Sequence, residues 1–304
     1  MPFAAMMACG TFLTVHAGPL GPPGPPGDPT MIPIDQVDPR IPIYASMLPY
    51  TIQEPGSYYL AQDIRTTGGG IIVRTHDVTI DLMGFTLEGG TGPGIEGVGY
   101  YRTTIRNGTI MGWSGTGVLL GHEADLSGLI VANNQGSGIE VGTDSRVTGC
   151  LSNSNLVHGI IVGTGGIVRS CEASFNSENG IWASGGNGAL VSGCVANENE
   201  KNGIRVDGST TILDNHIQRN DFDTQDGKAG IWVNGDYNRI EGNTILYNNI
   251  GIDLDGSHNT IARNVVGTSL TVDFDVDPLA SDNLMATFAM GGPGTPGPWD
   301  NIQL

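Results

Sequence analysis

A set of polar and aromatic side chains recurs in one frame and could support proton transfer. Arg205 and Asp207 lie in Gly203-Ile-Arg-Val-Asp, Trp232 and Asn234 in Gly230-Ile-Trp-Val-Asn, and Asp253 and Asp255 in Gly251-Ile-Asp-Leu-Asp. Trp182 holds the same place in Gly180-Ile-Trp, and Glu140 in Gly138-Ile-Glu. If each segment is a strand, period two sends these residues to one face and the apolar residues to the other. Paired carboxylates beside an arginine suit proton abstraction next to a uronate or acid–base hydrolysis, so Arg205, Asp207, Asp253 and Asp255 are the catalytic candidates. An outward indole offers an apolar face and one N–H donor, a platform for a sugar ring. Trp182, Trp232, Asn234 and Glu140 are therefore the substrate-binding candidates. A long insertion, residues 221–228, enters the same face, and Asp221, Asp223 and Asp226 could supply oxygens to calcium. The calcium is the one cofactor implied. Bland readings stand beside these. Asp253-Leu-Asp255-Gly256 is also ordinary turn chemistry, the insertion lacks EF-hand spacing, and outward tryptophans can lie under another part of the chain.

The frame that places these residues is a repeat. A glycine followed by an in-out-in triplet begins at Gly70, Gly94, Gly117, Gly138, Gly159, Gly180, Gly203, Gly230 and Gly251, at spacings of 24, 23, 21, 21, 21, 23, 27 and 21 residues. Such a period signals a solenoid, and alternation with period two makes its elements strands. The expectation is an all-β, right-handed parallel β-helix of about nine coils, a rod about 43 Å long at the strand spacing.

Columns support the stacking. The residue after each glycine is β-branched throughout: Ile71, Ile95, Val118, Ile139, Ile160, Ile181, Ile204, Ile231 and Ile252. Two further apolar columns run through Ile105–Ile261 and Ile110–Val266, which predicts three sheets around one core. Asn134, Asn155, Asn176, Asn199, Asn220 and Asn248 form a further column, suited to amide hydrogen bonds from coil to coil. Cys150, Cys171 and Cys194 share a column whose later members are Asn215, Asn243 and Asn264. They read as buried thiols acting as small apolar residues. The six histidines fall in different columns and form no triad or metal set.

Composition bounds the rest. Thirteen Lys and Arg against 31 Asp and Glu give a net charge of −18, which excludes a general nucleic-acid binder and disfavours anionic membranes. Gly accounts for 48 of 304 residues, roughly double the usual share, as many tight turns require. Residues 1–17 resemble a signal peptide, with apolar Phe3–Val15 before Val15-His16-Ala17; no Lys or Arg precedes the run, which fits a signal truncated at its start. Residues 18–30 carry four Gly-x-y triplets and read as a stiff spacer. Residues 31–69 are expected to cap the first coil, 70–267 to form the β-helix, and 268–304 to be irregular. No stretch is long and apolar enough to span a membrane. Secreted, periplasmic or cell-surface residence follows from the signal reading, and oligomeric state is left open.

LPYTIQEPGSYYLAQDI, VTIDLMGFTLEG and GIWVNGDYNRIEGNTILYNNIGIDL resemble the right-handed parallel β-helix repeat proteins, the NosD-type and pectate-lyase-like superfamily, over roughly residues 48–267. The resemblance implies the fold and leaves activity open, since members include polysaccharide lyases, glycoside hydrolases, epimerases, tailspikes and secreted proteins without known activity. The Asp-Asp, Gly-His-Gly and Arg-x-Lys set of polygalacturonases is absent here, as is the Asp-Pro-His-Glu set of alginate epimerases. Two functional classes remain. One is an exported protein that binds or processes polysaccharide in a groove on one sheet; if an enzyme, it would be of lyase or glycoside hydrolase type. The other is a structural or adhesive surface module without catalysis. Charge favours a neutral glycan, or an acidic one bridged by calcium. NosD-type metal maturation is disfavoured by the lack of outward His and Met clusters.

Overall fold

A computed structural model of the chain describes residues 40–221, 228–286, 288–290 and 300–303. The segments 1–17 and 18–30 lie outside the described residues. Within them the chain winds as a parallel β-solenoid. One face is an eleven-stranded parallel sheet, from Tyr50–Ile52 through Ile71–Val73 and onward to Ile250–Leu254 and Val272–Val276. The register is that of the glycine frame: Ile139 pairs with Ile160, Ile160 with Ile181, Ile181 with Ile204 and Ile204 with Ile231.

Two expectations are corrected. The sheet has eleven strands where nine coils were expected. The additional strands, Tyr50–Ile52 and Val272–Val276, lack the Gly-Ile signature yet pair in register with Ile71–Val73 and Ile250–Leu254. The other two faces are joined in one 22-stranded sheet rather than two separate ones. Thr103–Trp113 and Asp125–Ala132 run round the corner and pair on both sides of it. Left-handed Asn107 (φ 58°) and Gly128 (φ 60°) make that bend.

The interior explains the repeat. The β-branched column from Ile71 to Ile252 is fully buried. Each such side chain contributes on the order of 2 kcal/mol through burial alone. Beside it runs the asparagine ladder. Each Nδ2 donates to the next coil's Oδ1: Asn134 to Asn155 at 2.9 Å, Asn155 to Asn176 at 3.0 Å, Asn176 to Asn199 at 2.9 Å and Asn199 to Asn220 at 2.8 Å. The same Oδ1 atoms accept the backbone N–H of the asparagine one coil earlier. Together with the next coil's carbonyl, the ladder is also why glycine leads the six frames from Gly117 to Gly230. A Cβ on Gly180 would lie 2.6 Å from Asn199 Nδ2 and 2.7 Å from the Gly203 carbonyl oxygen.

The cysteine column is buried, with Cys150, Cys171 and Cys194 as free thiols. Where it changes to asparagine a second ladder starts, as Cys194 N donates to Asn215 Oδ1 and Asn215 Nδ2 to Asn243 Oδ1. At the far end the chain stays in register: Leu284–Met285 pairs with Thr260–Ala262, and Asn301–Gln303 with Val265–Gly267. Among the described residues no helix is long and apolar enough to cross a membrane.

Candidate functional site

The outward residues of the eleven-stranded sheet stand in one file. Leu119 pairs with Glu140, Glu140 with Ile161, Ile161 with Trp182, Trp182 with Arg205, Arg205 with Trp232, Trp232 with Asp253 and Asp253 with Asp275. Neighbouring strands are about 4.8 Å apart, so successive side chains touch.

Trp182, Arg205 and Trp232 form a stack. The Arg205 guanidinium lies 4.4 Å from the Trp182 ring centroid and 4.5 Å from that of Trp232, one indole on each side. Carboxylates pin the stack from its edge. Trp182 Nε1 donates to Asp207 Oδ2 at 2.9 Å, Arg205 Nε to Asp207 Oδ1 at 3.3 Å, and Trp232 Nε1 to Asp255 Oδ2 at 2.7 Å. Both indole donors are thus engaged, and each indole has one face on Arg205. The two Nη groups of Arg205 make no hydrogen bond among the described residues, and its side chain is 24% exposed. His158 meets Trp182 edge-on at 5.1 Å, with its Nδ1 accepting the Asn179 N–H at 3.1 Å. Burial holds the His158 imidazolium below its usual range. Lys228 Nζ sits 5.7 Å from the Trp232 ring.

Asp253 follows Trp232 in the file. It is half-buried and makes no hydrogen bond among the described residues. Burial, then the charges of Asp255 and Asp275, push its carboxyl up to about 6. Lys228 acts in the opposite direction. A carboxyl in that range exchanges protons near neutrality, as a general acid or base must.

The sequence candidates therefore divide. Trp182, Arg205, Asp207, Trp232, Asp253 and Asp255 come together. Asn234 is exposed one residue beyond its strand. Glu140 lies two strands away from Trp182, outside the stack. Of the proposed calcium ligands, Asp223 and Asp226 lie outside the described residues. Asp221 is buried, and its Oδ2 accepts the Lys228 N–H at 2.8 Å and Asn249 Nδ2 at 2.9 Å, bonds that tie the base of the insertion. Among the described residues no group of three His, Cys, Asp or Glu is placed to hold a metal ion. Asp275 and His158 were missed. The alternation of Val272-Asp-Phe-Asp-Val276 was the available signal for Asp275; contact of His158 with Trp182 crosses columns and had none.

A comparison with curated protein sequences finds no match. Among solved structures, the A-module of mannuronan C-5 epimerase AlgE6 from Azotobacter vinelandii is similar in fold. Its TM-score is 0.55 at 14% identity, covering 84% of this chain and 83% of that one. The A-module of AlgE4 from the same organism gives a TM-score of 0.53 at 14% identity, covering 81% and 80%. At that identity the likeness is one of fold. The model of the right-handed β-helix region matches residues 93–234 and 137–271. With more than half of its length matched, the chain belongs to the right-handed parallel β-helix family.

Proposed function

We propose that this protein binds a polysaccharide along the outer face of the eleven-stranded sheet and transfers a proton to or from it at Asp253. One observation carries the reading: a half-buried carboxyl, raised to about 6 and free of hydrogen bonds among the described residues, stands next to a Trp–Arg–Trp stack in an outward file. The file suits a linear polymer because it runs along the solenoid axis. The stack supplies aromatic edges and the outer Nη groups of Arg205 as donors to sugar oxygens. Asp207 and Asp255 are positioning residues, since they hold Arg205 and the indoles. Export belongs to this reading, carried by Phe3–Val15 and the Val15-His16-Ala17 triplet. The fold of the two epimerase modules is compatible with it.

A second reading is favoured by the same stack. Arg205 covers one face of each indole and both indole N–H groups are bonded, which is also how a purely structural ladder would look. In that case the rod is a surface module whose stability comes from coil stacking. The deciding experiment is incubation with neutral and acidic polysaccharides, with and without calcium, following polymer size by chromatography. Shortened polymer that is lost in Asp253→Asn supports proton transfer at Asp253. Unchanged polymer that co-elutes with the protein, and no longer does so with Trp232→Ala, supports binding alone. Neither result leaves the structural module as the function.

A further inference from the structure

North of the stack on the same face, toward the amino terminus, the outer surface changes character. Here Leu119 and Ile161 flank a single carboxyl, Glu140, in place of the aromatic and arginine residues of the stack. Beside them a recess of about 340 Å³ opens, bordered by Val98, His122, Thr143 and Ser184. That volume lies at the low end of the range for small-ligand sites. Its floor is backbone because Gly121, Gly142 and Gly163 stack there. A Cβ on Gly142 would lie 2.9 Å from His122 Nδ1, and one on Gly163 2.9 Å from the Gly142 carbonyl carbon. The glycines are required by the stacking itself, and the recess is its consequence.

Two polar groups point to a ligand. The Glu140 carboxyl is half-buried between Leu119 and Ile161 and has no hydrogen bond or ion pair among the described residues. Burial pushes it up from the usual carboxylate range, as expected for an acid that lacks a partner. His122 is oriented: its Nδ1 accepts the Thr143 N–H at 3.1 Å and lies 2.6 Å from Thr143 Oγ1, and Tyr101 stacks on its ring at 5.3 Å. An Nδ1 that accepts from backbone assigns the proton to Nε2, which leaves a fixed donor.

We infer that this recess binds an uncharged sugar unit, with its hydroxyl pair on Glu140, its apolar face on Leu119 and Ile161, and a further hydroxyl on His122 Nε2–H. The charge balance selects the class. No Lys or Arg lines the recess, and its one carboxyl would repel a uronate. The inference rests on the polysaccharide reading and deepens it, since it fixes the chemistry of the sugar at one end of the groove.

The test is calorimetric titration of the full chain in about 0.15 M salt, where screening is short-ranged. The probes are β-1,4-linked gluco-, manno- and galacto-hexaose, with β-1,4-linked hexamannuronate as the charged counterpart of mannohexaose. The expected result is that at least one neutral hexaose binds and hexamannuronate binds at least about tenfold more weakly. Glu140→Gln should weaken the neutral ligand by about tenfold, because a carboxylate acceptor becomes an amide. Leu119→Lys should weaken it further. Both positions point outward, so thermal melting checks that each variant is folded. His122→Phe, which removes the Nε2–H donor while keeping a ring against Tyr101, is the second route if either fails to fold. Uronate binding as tight as neutral binding overturns the inference. So does loss of affinity in Trp232→Ala but in neither Glu140→Gln nor Leu119→Lys, an outcome that spares the polysaccharide reading. Absence of binding by all four probes overturns both.

Discussion

The two sides of one strand set behave differently. Inward, the residue after each glycine is Ile or Val in all nine copies of the frame, and the neighbouring asparagines repeat for six coils. Outward, one residue on, the file reads Ile72, Glu96, Leu119, Glu140, Ile161, Trp182, Arg205, Trp232 and Asp253. The inner columns repeat because each coil is the template for the next: an amide must meet an amide, and an isoleucine must fill the same slot. The outer file is released from that demand. What it holds is set by neighbours along the file, and so by whatever lies on it. Repetition therefore marks fold, and departure from repetition marks the face where chemistry is sought.

Substitutions on the two sides should differ most in stability. Asn199→Ala removes the bonds to Ala173 O and Asn220 Oδ1 and leaves the Asn176 N–H and amide without their acceptor. With several buried groups left unsatisfied, the expected loss is on the order of 3 kcal/mol or more, read as a lower denaturant midpoint. Trp232→Ala, on the outer side of a neighbouring coil, should cost about 1 kcal/mol, mostly the contact with Arg205. Equal losses from both would break the distinction and favour the structural ladder.

A smaller effect is expected at Arg205. Arg205→Lys keeps the charge but loses the planar fork that stacks between two rings. Polymer retention should fall by about tenfold while stability changes by less than about 1 kcal/mol. Unchanged retention would mean that the guanidinium serves the stack alone.

A separate effect is the pH dependence of Asp253. Its folded-state value, about 6, is above its ordinary 3.8, so the folded chain holds that proton more tightly than the unfolded chain. Its effect on stability is absent below about 3.8, and stability is lost as pH rises from there through about 6. Asp253→Asn should remove this slope from a set of denaturant midpoints between pH 3.5 and 7.5. An unaltered slope would place the titrating group elsewhere.

Much of this was legible in the sequence for a physical reason. Solenoid contacts are between equivalent positions of adjacent coils, so a column in the alignment of repeats is a column in space. That made Ile181 over Ile160 and Asn176 over Asn155 readable, and it brought Trp182, Arg205, Trp232 and Asp253 into one file. Features off the columns were hidden. The Trp–Arg–Trp stack depends on rotamers, and the raised carboxyl of Asp253 depends first on burial and then on the charges of Asp255 and Asp275, with Lys228 opposing. The terminal coils were hidden too, because Tyr50–Ile52 and Val272–Val276 take their register from their neighbours without the glycine frame. The long strands Thr103–Trp113 and Asp125–Ala132 merge two faces through a corner that periodicity alone does not resolve.

The most direct test uses the indoles as reporters. The chain has four tryptophans; Trp182 and Trp232 are in the outward file, and Trp113 is fully buried with its Nε1 donating to the Leu87 carbonyl at 3.3 Å. In a chain labelled with ¹⁵N at the indoles, Trp182→Phe, Trp232→Phe and Trp113→Phe assign the signals. Titration with whichever polysaccharide fragments the protein retains should shift the Trp182 and Trp232 indole resonances together and leave that of Trp113 in place. A ligand that binds while both outward indoles stay unmoved would contradict the placement of the site on this face.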